Sequence, residues 1–142
     1  MSDAPVISAE IEGLLNVEFG PEVFEIEKGM VARFAAAIGD PNPAWKEVVP
    51  PTLAGAALAP SALMHRIFNA EGPLKRILNG SSELEYLQPI RVGDTISVTG
   101  RLTRLRQVEG KDGPTLFMFT EVTYTNQRGE VAVRGKNTIV RY

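Results

Sequence analysis

Two short polar side chains, Asp40 and Asn42, stand two residues apart, and each is followed by a proline. A proline fixes its own φ angle and pushes the preceding residue out of the α region, so this segment is predicted to be a rigid turn. A carboxylate held on such a turn could take up or return a proton. Alternatively, both side chains only stabilise the turn through hydrogen bonds to its backbone. The residues alone leave both interpretations open.

The composition limits the other chemistry that the chain can carry. Its 142 residues include no Cys and a single His, His65. Disulfides, thiolate nucleophiles and cysteine zinc sites are therefore excluded, and no metal site is predicted. His65 lies well inside a predicted helix, where a surface or hydrogen-bonded histidine is a simpler interpretation than a base. Catalysis would have to use carboxylates, hydroxyls and amides, or groups that a partner supplies.

A second candidate is the helix start predicted at Pro50-Pro51-Thr52. Thr is a competent N-cap, and residues 53–68 are mostly good helix formers. The first N–H groups of a helix lack intrahelical partners and carry partial positive charge, so they could stabilise an oxygen that becomes negative during a reaction. Because Pro51 has no N–H, Thr52 and Leu53 would be the donors. A plain helix start explains the same residues equally well.

The helix that begins there is unusually rich in small residues and contains Pro60, which must kink or split it. Small side chains allow a sheet to approach a helix backbone closely, so this helix is predicted to be wrapped by a sheet. The small residues are Ala54, Gly55, Ala56, Ala57 and Ala59.

The first half of the chain predicts helices with one strand between them. Ser8 can cap a short helix that runs to about Leu15. A strand-like alternation follows around Phe24 and Ile26. Apolar residues at helical spacing then predict a helix from Met30 to Ile38, which Gly39 would end in a left-handed conformation.

The second half predicts strands. From Ser82 onward apolar and charged residues alternate, and turn residues at 91–94, 110–114 and 127–129 divide the segment into four strands. Short connections between these strands predict an antiparallel meander. The element order predicts a single α+β domain that covers residues 1–142.

Three segments of the chain resemble the MaoC-like hydratase 2 family, and in particular its N-terminal-type, FAS1-like dehydratase domain. They are residues 34–43 (FAAAIGDPNP), 49–53 (VPPTL) and 83–94 (ELEYLQPIRVGD). The resemblance implies a hot-dog fold, in which a curved antiparallel sheet wraps one central helix, here the one that begins at Thr52. It also implies an acyl thioester of coenzyme A or of an acyl carrier protein as the ligand, with no further cofactor.

Catalytic members of the family carry the turn Asp-x-Asn-Pro-x-His, whose Asp and His activate the water that adds to a trans-2-enoyl thioester. Asp40, Asn42 and Pro43 match this motif, which makes Asp40 and Asn42 the catalytic candidates. Trp45 occupies the His position, and an indole has no basic nitrogen to carry a proton. The resemblance therefore implies a second hot-dog subunit with the complete pair. The candidate substrate-binding residues are Trp45, Thr52, Leu53 and Gly55.

Trp45 could equally fill a core edge without touching a ligand. A basic stretch, Arg101, Arg104, Arg106 and Lys111, could contact coenzyme A phosphates. On a regular strand, however, Arg104 and Arg106 face one side and Arg101 the other, which predicts a solvated strand rather than one patch.

The leading hypothesis is a subunit of an enoyl-CoA or enoyl-ACP hydratase, or of a 3-hydroxyacyl-thioester dehydratase in the reverse direction. A non-catalytic acyl-CoA binding or scaffold subunit is the alternative. A hot-dog thioesterase is disfavoured, because many of those enzymes carry a carboxylate on the central helix and residues 53–68 contain none. Unpaired sheet edges predict a homodimer, or a heterodimer with a catalytic MaoC-like subunit. Fatty-acid, steroid side-chain and aromatic pathways all stay open.

The charge pattern argues against nucleic acid and membrane partners. The chain has 15 Lys and Arg against 17 Asp and Glu, a net charge of −2. It therefore lacks the excess of positive charge that is typical of nucleic-acid-binding proteins. The segment Met1–Val6 carries an acid where a secretory signal needs Lys or Arg, and the weakly polar run 53–64 is too short to span a bilayer. A cytoplasmic protein is therefore expected.

Overall fold

The structure, a computed structural model, describes residues 4–142, so the first three residues of the segment tested for a secretory signal lie outside it. Five strands are present: β1 (Phe19–Glu25), β2 (Ile77–Tyr86), β3 (Thr95–Gly110), β4 (Gly113–Thr125) and β5 (Val131–Arg141). The helices are α1 (Ala9–Glu12), α2 (Lys28–Ala37), α3 (Leu53–Ala57) and α4 (Ser61–Asn69), with a 3₁₀ helix at Pro43–Lys46. None of the helices in the described range is long and apolar enough to cross a membrane.

The five strands form one antiparallel sheet in the order β1-β3-β4-β5-β2, which leaves β1 and β2 at its edges. Only β3, β4 and β5 form the predicted meander. The prediction that β2 pairs with β3 is wrong, because residues 87–94 carry the chain across the end of the sheet instead of turning back at once. Along this crossing Val49 N–H donates to Ile90 O at 2.9 Å and Val92 N–H to Glu47 O at 2.9 Å.

The predicted central helix is divided into α3 and α4, because Pro60 cannot donate the hydrogen bond that would continue it. The sheet approaches closely at the break: a Cβ on Gly100 would lie 3.0 Å from Pro60 Cβ and 3.1 Å from Leu63 Cδ2. Of the predicted small helical residues, Ala54 is buried and Gly55 faces Leu84 of β2, whereas Ala56 and Ala57 are exposed, so the sheet wraps only part of the small-residue helix. Thr52 stands at the N-cap of α3, but its side chain makes no capping hydrogen bond.

The other helix ends follow local rules. Ser8 caps α1, with its Oγ accepting from Ile11 N–H at 3.2 Å. The next helix, α2, begins two residues before the predicted Met30 and ends before Gly39, whose φ of +68° confirms the predicted left-handed residue.

The buried side chains form two clusters beneath the curved sheet. The upper cluster joins α2 and α3 to one end of the strands, and its fully buried members include Val31, Leu53 and Ile96. The lower cluster joins α1 and α4 to the other end, with Leu63, Leu102 and Met118 fully buried. The inward faces of β3 and β4 supply side chains to both clusters.

A β-bulge changes the predicted distribution of the basic residues on β3. Arg101 pairs with Glu121 and Arg104 with Phe119, so Thr103 is the extra residue between them. The bulge shifts the alternation by one, and Arg101, Arg104 and Arg106 all lie on the outer face of the sheet. The prediction that Arg101 takes the opposite face is therefore wrong. On the outer face, Arg101 forms an ion pair with Glu121 at 3.3 Å, and Arg104 stacks 4.1 Å from the Phe119 ring centroid.

Arg141 closes the lower end of the molecule. It is only 3% exposed, and its guanidinium donates to the carbonyl oxygens of Ile67 at 2.7 Å and Ala70 at 2.8 Å. These carbonyls belong to the C-terminal end of α4, which has no further turn to bond them. Burial lowers the pKa of Arg141, while Glu10 and Glu71 act against that shift.

Replacing Arg141 by Met should therefore lower the free energy of unfolding by about 2 kcal/mol, because two buried carbonyls lose a charged donor. Urea denaturation measures the change. Arg134→Met removes an exposed arginine of the same strand and should change stability by less than about 0.5 kcal/mol. Equal, small effects from both substitutions would contradict the capping role.

Candidate functional site

A cavity of about 580 Å³, called the main groove below, lies between the two central helices and the β2 side of the sheet. Its walls are mostly apolar, with a few polar groups among them. Its lining is formed by Thr52, Gly55, Ala56, Ala59, Pro60, Met64, Phe68, Ile77, Leu78, Asn79, Ser82, Leu84, Val122, Tyr124, Asn137 and Ile139.

Two glycines keep the upper part of this groove open around Leu84. A Cβ on Gly55 would lie 3.2 Å from Leu84 Cδ1, and a Cβ on Gly135 would lie 3.3 Å from Leu84 Cδ2. A larger side chain at either position would displace Leu84 or fill the groove. The absence of side chains at these two positions therefore leaves room for the Leu84 side chain in the groove wall.

Tyr124 supplies the most buried polar group of the main groove. The residue is 3% exposed, and within residues 4–142 its hydroxyl has no hydrogen-bond partner. Burial is the main cause that raises the pKa of Tyr124 to about 12, and the nearby Tyr86 adds to the shift. The phenol therefore stays protonated near neutral pH and can donate a hydrogen bond into the groove.

A second groove of about 370 Å³ lies on the other side of the start of α3. Tyr86 stands in its wall and donates its hydroxyl to Pro51 O at 2.6 Å, which ties β2 to the residues ahead of α3. Burial raises the pKa of Tyr86. The remaining lining residues are Trp45, Val48, Val49, Pro51, Ala54, Leu87, Gln88, Pro89, Ile90 and Val133.

Neither lining contains a group suited to proton transfer near neutral pH. Among the residues that the structure describes, no Asp, Glu, His, Lys or Arg lines either groove. The arrangement can bind an apolar chain and hydrogen-bond polar atoms on it. By itself it offers no general base.

The FAS1-like, dehydratase domain region family model matches residues 14–134. The chain belongs to this family. The MaoC-like resemblance of the three sequence segments is thereby confirmed. A UPF0336 protein of Streptomyces avermitilis is 28% identical over 102 residues, which cover 63% of this chain and 68% of that protein.

Solved structures share the fold of this FAS1-like dehydratase domain at low sequence identity. The C-terminally truncated HadBC (3R-hydroxyacyl-ACP dehydratase) complex of Mycobacterium tuberculosis superposes with a TM-score of 0.72 and 16% identity, over 89% of this chain and 96% of that one. A MaoC-like dehydratase superposes with a TM-score of 0.76 and 20% identity, over 92% of this chain but 42% of the other. The predicted hot-dog fold is confirmed.

The structure separates the substrate-binding candidates of this dehydratase domain. Thr52 and Gly55 line the main groove, whereas Trp45 lines the second groove, with its Nε1 buried and without a partner. Leu53 is completely buried in the upper cluster, and its N–H donates to Pro50 O at 3.0 Å. Leu53 therefore offers neither its side chain nor its N–H to the groove.

The catalytic candidates of the family motif line neither groove. Asp40 Oδ1 accepts from Asn42 N–H at 3.1 Å, and Asn42 Oδ1 accepts from Ala44 N–H at 3.0 Å at the start of the 3₁₀ helix. These contacts are the turn-stabilising arrangement that the residues allow. A catalytic role of either residue stays a prediction. His65 lies exposed on α4 beside Asn69 and outside both linings.

Sequence reasoning missed several groove residues of this domain, among them Tyr124, Asn137 and Ser82. The signal that could have found them is the alternation of inward-facing and outward-facing residues along a strand. In β5, Asn137 stands in the alternating series that includes Val133 and Ile139, both of which face the helices. A polar residue at an inward position of a strand indicates a groove or a buried hydrogen-bond network.

The raised pKa of Tyr124 predicts a loss of stability in alkaline solution. An unfolded tyrosine ionises near pH 10, whereas Tyr124 in the folded chain ionises at about 12. Its contribution is therefore complete below pH 10 and is lost as the pH rises toward 12. Urea denaturation at several pH values should show the decline, and Tyr124→Phe should remove most of it. Tyr142→Phe, at an exposed tyrosine, should leave the decline in place; an unchanged decline in Tyr124→Phe would refute the assignment.

Proposed function

We propose that this chain is the substrate-binding subunit of an enoyl-thioester hydratase, or of a 3-hydroxyacyl-thioester dehydratase in the reverse direction. In this proposal the main groove holds the acyl chain of a coenzyme A or carrier-protein thioester. A second hot-dog subunit supplies the Asp and His that activate the water. Neither a metal nor a further cofactor is part of the proposal.

The observation that carries the proposal is an apolar groove without a proton-transfer group. Water addition to an enoyl thioester needs a base to take a proton from water and an acid to protonate the adjacent carbon. No carboxylate or imidazole lines the groove in residues 4–142, and Trp45 stands where the family motif has His. Binding and proton transfer are therefore assigned to different subunits.

The unpaired edge of β2 supports a partner at this groove. Within the described chain β2 pairs only with β5, and several of its residues line the main groove, including Ile77, Ser82 and Leu84. An unpaired strand edge is a ready site for pairing with another chain. A second sheet added along β2 would close the open side of the groove and bring its own residues to the bound thioester. The partner is a second copy of this chain or, as this proposal requires for catalysis, a MaoC-like subunit.

A non-catalytic acyl-CoA binding or scaffold subunit is the alternative, supported by the turn-stabilising contacts of Asp40. The two functions differ in the assembled state. A substrate-binding subunit changes turnover when its groove is blocked, whereas a scaffold subunit does not.

Crotonyl-CoA hydration tests the proposal on the isolated chain and on the complex purified from its native source. The isolated chain should show no measurable turnover, and the complex should be active. In the complex, Gly55→Leu should lower kcat/KM at least about tenfold, because the new side chain presses on Leu84 and fills the groove.

Ala57→Leu is the matched control, since Ala57 is exposed on the same helix and lines neither groove. Turnover by the isolated chain on the order of 10 per second would contradict the assignment of substrate binding and proton transfer to different subunits. Full activity of the Gly55→Leu complex would favour the scaffold alternative.

A further inference from the structure

We infer that the acyl chain bound in the main groove carries a hydrogen-bonding substituent, a hydroxyl or keto oxygen, which Asn137 binds midway along the groove. This inference rests on the proposed function, because it takes the groove as an acyl site. The inference goes further by specifying the class of acyl chain: one that carries a polar substituent rather than a plain alkyl chain.

A polar row crosses the inward face of the sheet at this point. Thr120 of β4 pairs with Asn137 of β5, and Asn137 pairs with Ser82 of β2, so the three side chains stand side by side across three strands. Directly opposed residues on one face have Cβ atoms about 5 Å apart. A ligand that passes along β5 must cross this row.

The neighbouring rows are apolar over most of their width. On the upper side the row of Val122, Gly135 and Leu84 borders the upper cluster, and on the lower side Met118 and Ile139 belong to the lower cluster. The polar row therefore lies at the junction of the two halves of the core. A plain alkyl chain would leave these polar groups without partners, at a cost in binding.

The side chains of the row have unused hydrogen-bonding capacity. Asn137 is partly buried and its side-chain amide has no partner in residues 4–142. Thr120 is 1% exposed, and its Oγ1 is buried without a partner. Ser82 Oγ accepts from Asn79 Nδ2 at 3.2 Å, which leaves its own hydroxyl proton to donate. Buried polar groups are usually satisfied, so the unpaired Thr120 hydroxyl beside an amide that is open to the groove points to a ligand group.

Asn137 and Thr120 have different roles in this arrangement. Asn137 lines the groove, and its amide can both donate to a ligand oxygen and accept from a ligand hydroxyl. Thr120 does not line the groove, so it acts as a positioning residue whose hydroxyl can bond the Asn137 amide once the ligand fixes it. Tyr124, two rows away, is left to hydrogen-bond the thioester end near α3.

The row also gives the position of the substituent along the chain. Leu84 lies beneath Gly55 near the start of α3, and the polar row is two residues farther along each strand, at Ser82 on β2. Two residues of a strand span about 7 Å. The substituent therefore lies about 7 Å beyond the contact of Gly55 with Leu84, toward Phe68.

Isothermal titration calorimetry tests this inference with saturated thioesters, which cannot be hydrated. The probes are decanoyl-CoA and a set of isomers that carry one hydroxyl group at successive positions in the outer half of the chain. Both the isolated chain and the complex are titrated. At least one isomer should bind about tenfold or more tightly than decanoyl-CoA, since a site built to bond a hydroxyl discriminates against the analogue that lacks it.

Three variants test whether the preference for a hydroxylated thioester depends on the polar row. Asn137→Leu should abolish or reverse the preference, and Thr120→Val should reduce it several-fold. Thr120→Val is nearly isosteric and loses no existing hydrogen bond, so it should fold with unchanged or higher stability and keeps the test valid if Asn137→Leu does not fold. Thr138→Val, on the outer face of β5, should leave all affinities unchanged.

The results separate this inference from the proposed function. Equal or tighter binding of decanoyl-CoA compared with every isomer would overturn the inference and leave the proposed function standing. A preference that persists in a folded Asn137→Leu, or that is undiminished in Thr120→Val, would also overturn it. Failure of every thioester to bind either the chain or the complex would overturn the proposed function, and this inference with it.

Discussion

The close approach of the split central helix to the sheet is the constraint on which the rest of the structure depends. Gly100 allows the sheet to contact Pro60 and Leu63, and Gly55 and Gly135 hold Leu84 between helix and sheet. Added volume at Gly55 or Gly135 would displace the Leu84 side chain, and added volume at Gly100 would press on Pro60 and Leu63. These contacts set how closely the split helix packs on the sheet, and Gly55, Pro60 and Leu84 among them line the main groove.

The mostly apolar lining of the groove follows from this geometry. A space between a helix of small residues and the inward face of a sheet is apolar except where the strand alternation places a polar residue inward, as at Tyr124 and Asn137. Such a space is suited to a chain-like ligand, and among the described residues no general base lines it. Residues of the unpaired edge strand β2 line the groove, so a partner that paired with this edge, as proposed, would lie beside the groove.

Local signals made part of the structure predictable. Gly39 as a left-handed helix end and Pro60 as the break in the central helix both depend on near neighbours in the chain. The bulge at Thr103 was not predictable, because its only sign is the register with β4. The pairing of β2 with β5 and the polar row at Asn137 arise from contacts between distant segments, which alternation along one strand does not contain.

Hydrogen–deuterium exchange on the two sheet edges tests most directly whether a partner completes the groove. In the isolated chain, alternate amides of β2 (Ile77–Tyr86) bond β5 and the others face the free edge. If a second sheet joins along β2, the free-edge amides should exchange at least about tenfold more slowly in the purified complex, while those of β1 (Phe19–Glu25) stay unchanged. Equal exchange of the β2 amides in the isolated chain and in the complex would contradict the account.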